Sequence, residues 1–254
     1  MYIKAKEETV MPRFFVPTEN IDENHIRITG SDAFHIARSL RMAVNDEITV
    51  CDMHGTAHKC RLLSIRDSEC ECEIIESHTG RTEPPVKITL YMGYPKGDKL
   101  ELVIQKAVEL GVYKIVPFES SRCIKRPKAE KAEKQNARLA RISEEAAKQC
   151  GRSIIPEVAL PISFSDMLAQ AKGADLSLFC YEGDGTLSMK RVLEENGGVK
   201  TLSVIVGPEG GFSLDEAEQA KSASLTPVNL GPRILRCETA PIYALSSLSF
   251  FFEL

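Results

Sequence analysis

Beyond about residue 87, apolar strand-like segments alternate regularly with helical segments, and this alternation limits the chain to few folds. Amphipathic periodicity predicts one helix in KGDKLELVIQKAVELGV and a longer one in EKAEKQNARLARISEEAAKQC. A third is predicted in LDEAEQAKSA, and the chain closes on a fourth, ETAPIYALSSLSFFFEL. The intervening strands are KITLYMGYP, KIVPF, ADLSLFCYEG, TLSVIVGPEGG and PVNLGPRIL. Strands that alternate with helices indicate an α/β domain with a mainly parallel sheet.

The first third of the chain has a different pattern, in which short strands follow one another at close spacing. They are RFFVP, HIRITG, DEITVCD, KCRLLSI and CECEII, and one helix, SDAFHIARSL, interrupts them with Ser31 or Asp32 as its N-cap. This spacing predicts a small β-barrel over residues 11–80. The polar segment Ser77–Lys87, with the pair Pro84-Pro85, is typical of an interdomain linker. The second domain is therefore expected to cover residues 84–254.

Composition agrees with a soluble two-domain protein. The 254 residues are 43% hydrophobic and 27% charged, which excludes global disorder and a disulfide-stapled miniprotein. The chain has no apolar run near the roughly 20 residues of a membrane-spanning helix, and MYIKAKEETV lacks the apolar region of a secretory signal. We therefore expect a cytoplasmic protein without a membrane partner, with its 8 cysteines as reduced thiols.

Four side chains of metal-binding type, Cys51, His54, His58 and Cys60, fall within ten residues. They lie in ITVCDMHGTAHKCRLLSI, which alternates like a hairpin that turns at His54-Gly55. A structural zinc site usually has tight paired spacings such as C-x2-C, which this segment lacks. We expect a strand-turn-strand here and no metal site.

Two glycine-rich loops carry the strongest local signals. Val206-Gly-Pro-Glu-Gly-Gly-Phe-Ser213 joins an apolar strand to an acidic helix start, and Leu230-Gly-Pro-Arg-Ile-Leu-Arg-Cys-Glu-Thr-Ala240 repeats that strand-loop-helix order. Glycines let backbone approach a ligand closely and expose amide groups at a helix N-terminus. Neither loop is a Walker A loop or a Rossmann fingerprint. A tight turn would also explain each one alone, but two such loops at strand carboxyl ends form the usual ligand crevice of an open α/β sheet.

The motifs MPRFFV, QKAVELGV, VGPEGGFS and LGPRILRCETA together resemble the RsmE-type ribosomal RNA uridine N3-methyltransferases of the SPOUT superfamily. The resemblance covers nearly the whole chain from Met11, so residues 1–10 would be an N-terminal extension. It implies an α/β fold with a trefoil-knotted SPOUT-type methyltransferase domain, preceded by a small PUA-like β-barrel that binds RNA. It also implies a homodimer, S-adenosyl-L-methionine as cofactor, and methylation of N3 of a specific uridine in 16S rRNA of the small ribosomal subunit.

The resemblance also assigns residues to the cofactor site. Three knot loops and the start of the final helix would hold the cofactor, with an apolar group enclosing its base. These residues are Tyr181, Glu182, Gly207, Pro208, Glu209, Gly210, Gly211, Leu230, Gly231, Ile234, Leu235, Arg236, Thr239 and Ala240. Cys237 departs from the small or hydroxyl residue expected there.

Methyl transfer to N3 requires loss of the proton that uracil N3 carries at neutral pH, and stabilisation of charge that develops on O2 or O4. Our hypothesis is that Arg236 donates to a pyrimidine oxygen or a nearby phosphate, and that Glu238 orients it or accepts the proton. Glu209 is the competing base. Glu238 could equally be a helix N-terminal residue that the dipole favours.

The net charge of -4 conceals a basic central segment. Residues 122–141 hold eight basic and two acidic residues, while the flanking parts of the chain are acidic. A solvated helix face is the usual fate of such a run, but this excess also suits an RNA surface. The RNA-binding candidates are Arg13, Arg38, Arg41, Lys96, Arg122, Lys125, Arg126 and Lys128.

Three other functions stay open at this point. The first is a SPOUT methyltransferase acting on another RNA, and the second is a non-catalytic RNA-binding factor for ribosome assembly. The intact VGPEGG and LGPRILRCETA loops argue against a degenerate site. The third, an unrelated nucleotide-binding protein, would bind ATP or NAD instead of S-adenosylmethionine.

Overall fold

The computed structural model describes residues 11–79, 82–124 and 129–254. The chain divides into two compact units. The first contains the residues up to Glu83 together with Ala147–Ile155, and the second contains Pro84–Ala146 and Pro156–Leu254. The sequence did not predict that Ala147–Ile155 belongs to the first unit, because its pattern indicates one uninterrupted helix up to Cys150.

The first unit is built on a five-stranded sheet with the order β1-β3-β4-β5-β2. Strand β1 is parallel to β3, and the other neighbours are antiparallel. The strands are β1 Arg13–Phe15, β2 His25–Thr29, β3 Glu47–Cys51, β4 Thr56–Ile65 and β5 Glu69–Thr79. A 3-10 turn covers Thr18–Asn20, and a short helix, α1 Gly30–Phe34, continues into a π-helical turn at His35–Ser39. All five predicted strands and the hairpin between β3 and β4 are confirmed.

Alternation along these strands builds the core of the first unit. In β2, Ile26 and Ile28 are buried and the residues between and beside them are exposed, as expected where one sheet face meets water. Cys60, Cys70 and Cys72 are fully buried in the same core. The predicted N-cap of the helix was wrong, because the helix begins earlier, at Gly30, with Thr29 in the N-cap position.

Glu83 is anchored within the first unit rather than lying in a solvated linker. Its carboxylate accepts hydrogen bonds from the guanidinium of Arg152 and from the backbone N–H and hydroxyl of Ser153. Arg152 is only 3% exposed, so removal of the Glu83 carboxylate would leave a buried positive charge without this partner and would destabilise the fold. On the other side of the predicted linker, β5 extends to Thr79.

The second unit is a parallel sheet of eight strands with helices between them, as the alternation predicted. Its path is β11-β13-β10-β12-β6-β7-β8, with β9 also paired to β7, and every pair is parallel. The strands are β6 Lys87–Gly93, β7 Lys114–Glu119, β8 Glu157–Val158, β9 Ile162–Ser163, β10 Leu176–Cys180, β11 Leu187–Ser188, β12 Thr201–Val206 and β13 Thr226–Asn229. The helices are α2 Lys99–Glu109, α3 Ala129–Cys150, α4 Phe164–Ala171, α5 Met189–Glu195, α6 Leu214–Ser222 and α7 Thr239–Glu253.

Two short helices and three two-residue strands were not predicted. Helix α4 has a recognisable start, because the Ser163 hydroxyl caps it by accepting a hydrogen bond from the Asp166 N–H at 3.1 Å. The strands β8, β9 and β11 are too short to show a period of two. Within the described ranges, no helix combines the length and the apolar character needed to cross a bilayer.

Strand register brings three loops of the second unit to one edge of its sheet. Cys180 at the end of β10 pairs with Val206 of β12 on one side and with Val228 of β13 on the other. Strand β10 is buried along its whole length, which suits a parallel strand covered on both faces. Because the three strands are parallel and end together, the segments that follow them start side by side.

Candidate functional site

The loops at this edge enclose a cavity of about 380 Å³. Its volume lies in the range of about 300 to 1,000 Å³ that is usual for small-molecule sites. All the predicted cofactor-binding residues line it except Gly210 and Thr239, and both predicted catalytic residues, Arg236 and Glu238, line it as well. The structure therefore brings together three stretches of sequence whose ends, Tyr181 and Ala240, are 59 positions apart.

The loop after β12 requires glycine at one position beside it and at one position within it. A Cβ on Gly93 would come within 2.5 Å of the backbone nitrogen of Pro208. Gly211 has a φ of +63°, and a Cβ there would lie 2.9 Å from the carboxylate of Glu182. These contacts place the backbone of the loop against the end of β6 and leave its inner side facing the cavity.

Glu216 fixes where this loop ends. The Ser213 hydroxyl accepts from the Glu216 N–H at 3.1 Å and the Glu216 carboxylate accepts from the Ser213 N–H at 2.9 Å, a capping box at the start of α6. The same carboxylate, which is 4% exposed, also accepts from the Ser121 N–H at 2.8 Å and the Ser120 hydroxyl at 3.3 Å. Burial raises the pKa of Glu216, but these hydrogen bonds outweigh it and hold the pKa below its usual value. One buried carboxylate thus joins the loop after β7 to the loop after β12.

Arg122 strengthens the same junction. Its guanidinium donates to the carbonyl of Gly210 at 3.0 Å, and a Cβ on Gly210 would meet the Arg122 side chain at 2.9 Å. Gly210 therefore turns toward Arg122, which explains why it does not line the cavity. Residues 125–128, which follow this arginine in the sequence, lie outside the described residues, so the predicted role of Lys125, Arg126 and Lys128 is not examined by the structure.

The loop after β13 supplies an open, partly apolar wall. The Asn229 side chain accepts from the Gly231 N–H at 3.3 Å and donates to the carbonyl of Leu187 at 3.2 Å, which fixes the start of the loop. Beyond it Ile234 is 86% exposed, although it is apolar and lines the cavity. Such an exposed side chain at the rim is available to cover a ligand.

A lysine that sequence reasoning missed lies at the centre of the site. The ammonium of Lys99 is 3.1 Å from Glu209 Oε1 and 3.3 Å from Glu238 Oε2. It also donates to Cys237 Sγ at 3.7 Å, and that thiol donates to Glu238 Oε2 at 3.2 Å. Lys96, a predicted RNA-binding residue, contributes its backbone N–H, which donates to Glu209 Oε1 at 2.9 Å.

These contacts set the charges of the site. Burial raises the pKa of Glu209, but hydrogen bonds from its own N–H and that of Lys96, with the Lys99 ion pair, bring it below its usual value. The pKa of Glu238 is lowered first by its own backbone N–H and then by Cys237 and Lys99, against the effect of burial. The hydrogen bond to Glu209 raises the pKa of Lys99. Burial, with Glu238 and Glu209 nearby, raises the pKa of Cys237 to about 12. Both glutamates are therefore ionised at neutral pH, Lys99 is cationic and the thiol is neutral.

One oxygen in the cluster has no hydrogen-bond donor. Glu209 Oε2 is buried and has no partner among the described residues, although buried carboxylate oxygens are normally paired. Because Glu209 lines the cavity, this oxygen is an acceptor that a ligand can satisfy.

The candidate RNA-binding residues of the first unit have different surroundings. The Arg13 guanidinium donates to Cys51 Sγ at 3.1 Å and to the carbonyl of Arg152 at 3.2 Å, so it already has structural partners. Arg38 is exposed and makes a two-point ion pair with Asp67. Arg41 is exposed and has a positive φ of 52°.

A second cavity of about 700 Å³ lies between α5 and α7, and its lining is mainly apolar. Tyr243, Phe250 and Phe251 of α7 line it and are 44%, 71% and 39% exposed. So large an exposed apolar surface on one helix is typical of an interaction face.

Among the described residues there is no group of three or more histidine, cysteine or acidic side chains that could hold a metal ion. In the hairpin that carries Cys51, His54, His58 and Cys60, the two cysteines are buried. The His58 ring is instead within 2.9 Å of the Ser77 hydroxyl, which gives this buried histidine a polar partner.

Comparison with known proteins gives two matches to sequence families. Residues 82–249 match the family described as an RNA methyltransferase domain, and residues 28–75 match an RNA methyltransferase PUA domain. The ribosomal RNA small subunit methyltransferase E of Bacillus subtilis is 36% identical over 251 residues, which cover 96% of this chain and 98% of that protein. The protein of the same name from Mesomycoplasma hyopneumoniae is 34% identical over 236 residues, which cover 93% of this chain and 98% of that protein.

Among solved structures, the ribosomal RNA small subunit methyltransferase E from Neisseria gonorrhoeae, bound to S-adenosyl methionine, has a TM-score of 0.84. It is 32% identical, and the match covers 95% of this chain and 98% of that one.

The network around Glu216 predicts a large local contribution to stability. Replacing Glu216 by Ala removes a buried, ionised acceptor of several hydrogen bonds, and we expect a loss of about 2 to 3 kcal/mol in the free energy of unfolding. The matched control is Glu218→Ala on the same helix, whose ion pair with Lys221 is exposed and which should cost about 0.5 kcal/mol or less. Urea denaturation followed by circular dichroism measures both. Equal small losses would show that the network does not stabilise the loop.

Proposed function

Because the chain belongs to the ribosomal RNA small subunit methyltransferase E family, we propose that it transfers a methyl group to N3 of a specific uridine in the 16S rRNA of the small ribosomal subunit. It is an S-adenosylmethionine-dependent rRNA methyltransferase, with a SPOUT-type α/β domain preceded by a PUA-like domain. The observation that carries the proposal is the cavity at the ends of β10, β12 and β13, which two ionised glutamates line together with the glycine-rich loop after β12.

The residues of the cavity fit this cofactor. The close approach of the Gly207–Gly211 loop to Gly93 and Glu182 leaves backbone groups available to adenine and ribose. Leu230, Ile234 and Leu235 supply an apolar surface for the base. The unpartnered Glu209 Oε2 is an acceptor for a hydroxyl or amino group. S-adenosylmethionine, when bound, supplies an electrophilic methyl group on a cationic sulfonium centre, and a net anionic cluster suits that charge.

Glu238 and Arg236 are the residues to which we assign the chemistry. The low pKa of Glu238 makes it an ionised acceptor at neutral pH, so it can hold the uracil N3–H by a hydrogen bond and take the proton as N3 is methylated. A weak base is sufficient at that stage, because the acidity of N3–H rises as the new bond forms. Arg236 is exposed at the rim, where its guanidinium can donate to a pyrimidine oxygen or a phosphate. Glu209 remains the alternative acceptor.

The function is tested by methylation of small-subunit RNA, followed by mass spectrometry of the nucleosides. We expect one 3-methyluridine per RNA with the wild-type protein. We expect a loss of about a hundredfold or more in rate with Glu238→Gln and retained binding of S-adenosylmethionine. Glu253→Gln, at the exposed far end of the same helix, is the control. A methyl group on another atom would contradict the proposed specificity, and a Glu238→Gln rate within twofold of wild type would remove Glu238 from the mechanism.

We propose that the basic segment that begins at Arg122 binds the RNA. Arg38, Arg41 and Lys96 would add contacts, and Arg13 would contribute less. Arg122 itself is fixed against the cofactor loop, because its guanidinium donates to the carbonyl of Gly210. The PUA-like domain of residues 11–80 would present Arg38 and Arg41 as further phosphate contacts.

Salt dependence tests this surface. Replacement of Lys125, Arg126 and Lys128 by Ala should weaken RNA binding. It should also reduce the slope of log affinity against log salt by about 2 to 3, because binding releases fewer counterions from the RNA when phosphate contacts are lost. The control triple Lys172→Ala, Arg191→Ala and Lys221→Ala removes the same charge from exposed positions elsewhere. Fluorescence anisotropy with an RNA fragment measures both slopes. Identical slopes in the two triples would exclude the segment as the RNA surface.

We further propose that the protein acts in the cytoplasm as a homodimer. The exposed aromatic residues of α7 beside the second cavity are the candidate contact. The trefoil knot belongs to the same proposal. It follows from the resemblance of the loops after β12 and β13 to those of the SPOUT superfamily.

A further inference from the structure

We propose that Lys99 is a positioning residue for methyl transfer, whose ammonium bridges Glu209 and Glu238 and holds the two carboxylates at a fixed separation. This inference rests on the proposed function, because it concerns the same reaction. It adds a residue that neither the sequence motifs nor the family resemblance had singled out. The two glutamates come from different loops, Glu209 after β12 and Glu238 at the start of α7, so the bridge joins two walls of the cavity.

The donors of Lys99 are all directed at this cluster. An ammonium group has three donors, and Lys99 has three neighbours at hydrogen-bond or ion-pair distance: Glu209 Oε1 at 3.1 Å, Glu238 Oε2 at 3.3 Å and Cys237 Sγ at 3.7 Å. No donor is left for a substrate oxygen while these contacts persist. The geometry therefore favours action through the glutamates over direct contact with uracil.

The position of Lys99 in its helix is unfavourable by itself. It is the first residue of α2, after the N-cap Asp98, where the helix dipole disfavours a cation. Two carboxylates from outside the helix compensate the positive charge of its ammonium. A side chain that is unfavourable in its own helix and is stabilised by distant groups is typical of a functional site.

The charges that face the cluster explain why a cation is needed there. Glu182 also lines the cavity, on the loop after β10, so three carboxylates converge on it. Arg233 and Arg236 line the same cavity but are exposed, and neither makes an ion pair within the described part of the chain. Cys237 is neutral, and Lys96 contributes a backbone N–H to Glu209. Without the Lys99 ammonium, repulsion among the carboxylates would raise the pKa of Glu238 and Glu209 and push the two side chains apart, although their backbone hydrogen bonds would remain. A displaced Glu238 would no longer be held where it can accept the N3 proton.

The test uses the full-length protein with Lys99→Met, which removes the charge, and Lys99→Arg, which keeps it. With Lys99→Met we expect kcat to fall about tenfold to a hundredfold, with the KM for RNA unchanged. The acid limb of the pH profile should move to higher pH by about one unit, because the carboxylates lose their opposite charge. Lys99→Arg should restore most of the rate and the profile. Lys106→Met is the matched control on the same helix, since its ion pair with Glu109 is local.

A measurement independent of activity accompanies the kinetics. Titration of the labelled side-chain carboxyl carbons of Glu209 and Glu238 by NMR, without cofactor, should show both pKa values higher in Lys99→Met than in wild type and recovered in Lys99→Arg. Unchanged pKa values and an unchanged pH profile in Lys99→Met would overturn the inference. So would a Lys99→Arg protein as inactive as Lys99→Met with normal carboxyl titrations, since that result assigns Lys99 to direct contact with the substrate. A wild-type protein that does not methylate the RNA would instead refute the proposed function, and the titration would still decide on the bridge.

Discussion

The parallel pairing of β12, β10 and β13 is the interaction on which the rest of the site depends. Cys180 is paired with Val206 on one side and Val228 on the other, so three distant segments of sequence begin their loops at the same level. None of these loops could form the cavity alone. The buried, apolar character of β10 and β12 suits parallel strands that are covered on both faces at the centre of a sheet.

Close packing of the loop after β12 is stabilised by a small number of polar groups. Glycine at positions 93 and 211 removes the side chains that would prevent the approach, and the Glu216 carboxylate replaces the hydrogen bonds that a loop would otherwise make with water. Lys99 has a comparable role at the cavity, where its ammonium balances the charges of Glu209 and Glu238. Two charged side chains, Glu216 and Lys99, thus stabilise the glycine-rich loop and the cavity that it lines.

Much of this arrangement could be predicted from the sequence, and the exceptions have physical reasons. The strand-helix alternation predicted the parallel sheet, and the VGPEGG and LGPRILRCETA motifs identified residues that do meet at one cavity. Lys99 was missed because its partners are more than 100 positions away in sequence and no local pattern records them. Glu83 was assigned to a linker because its neighbours are polar and proline-rich, whereas its partner Arg152 follows a long helix. Short segments such as β8 and β11 have no period to detect.

If the loops after β10, β12 and β13 together form the cofactor site, S-adenosylmethionine should slow amide hydrogen exchange in more than one of them. We expect slower exchange at Gly207–Gly211 and at Gly231–Glu238, which follow two different strands, and little change at Met189–Glu195 beside the second cavity. Protection confined to the second cavity, or to only one of the two loops, would contradict it.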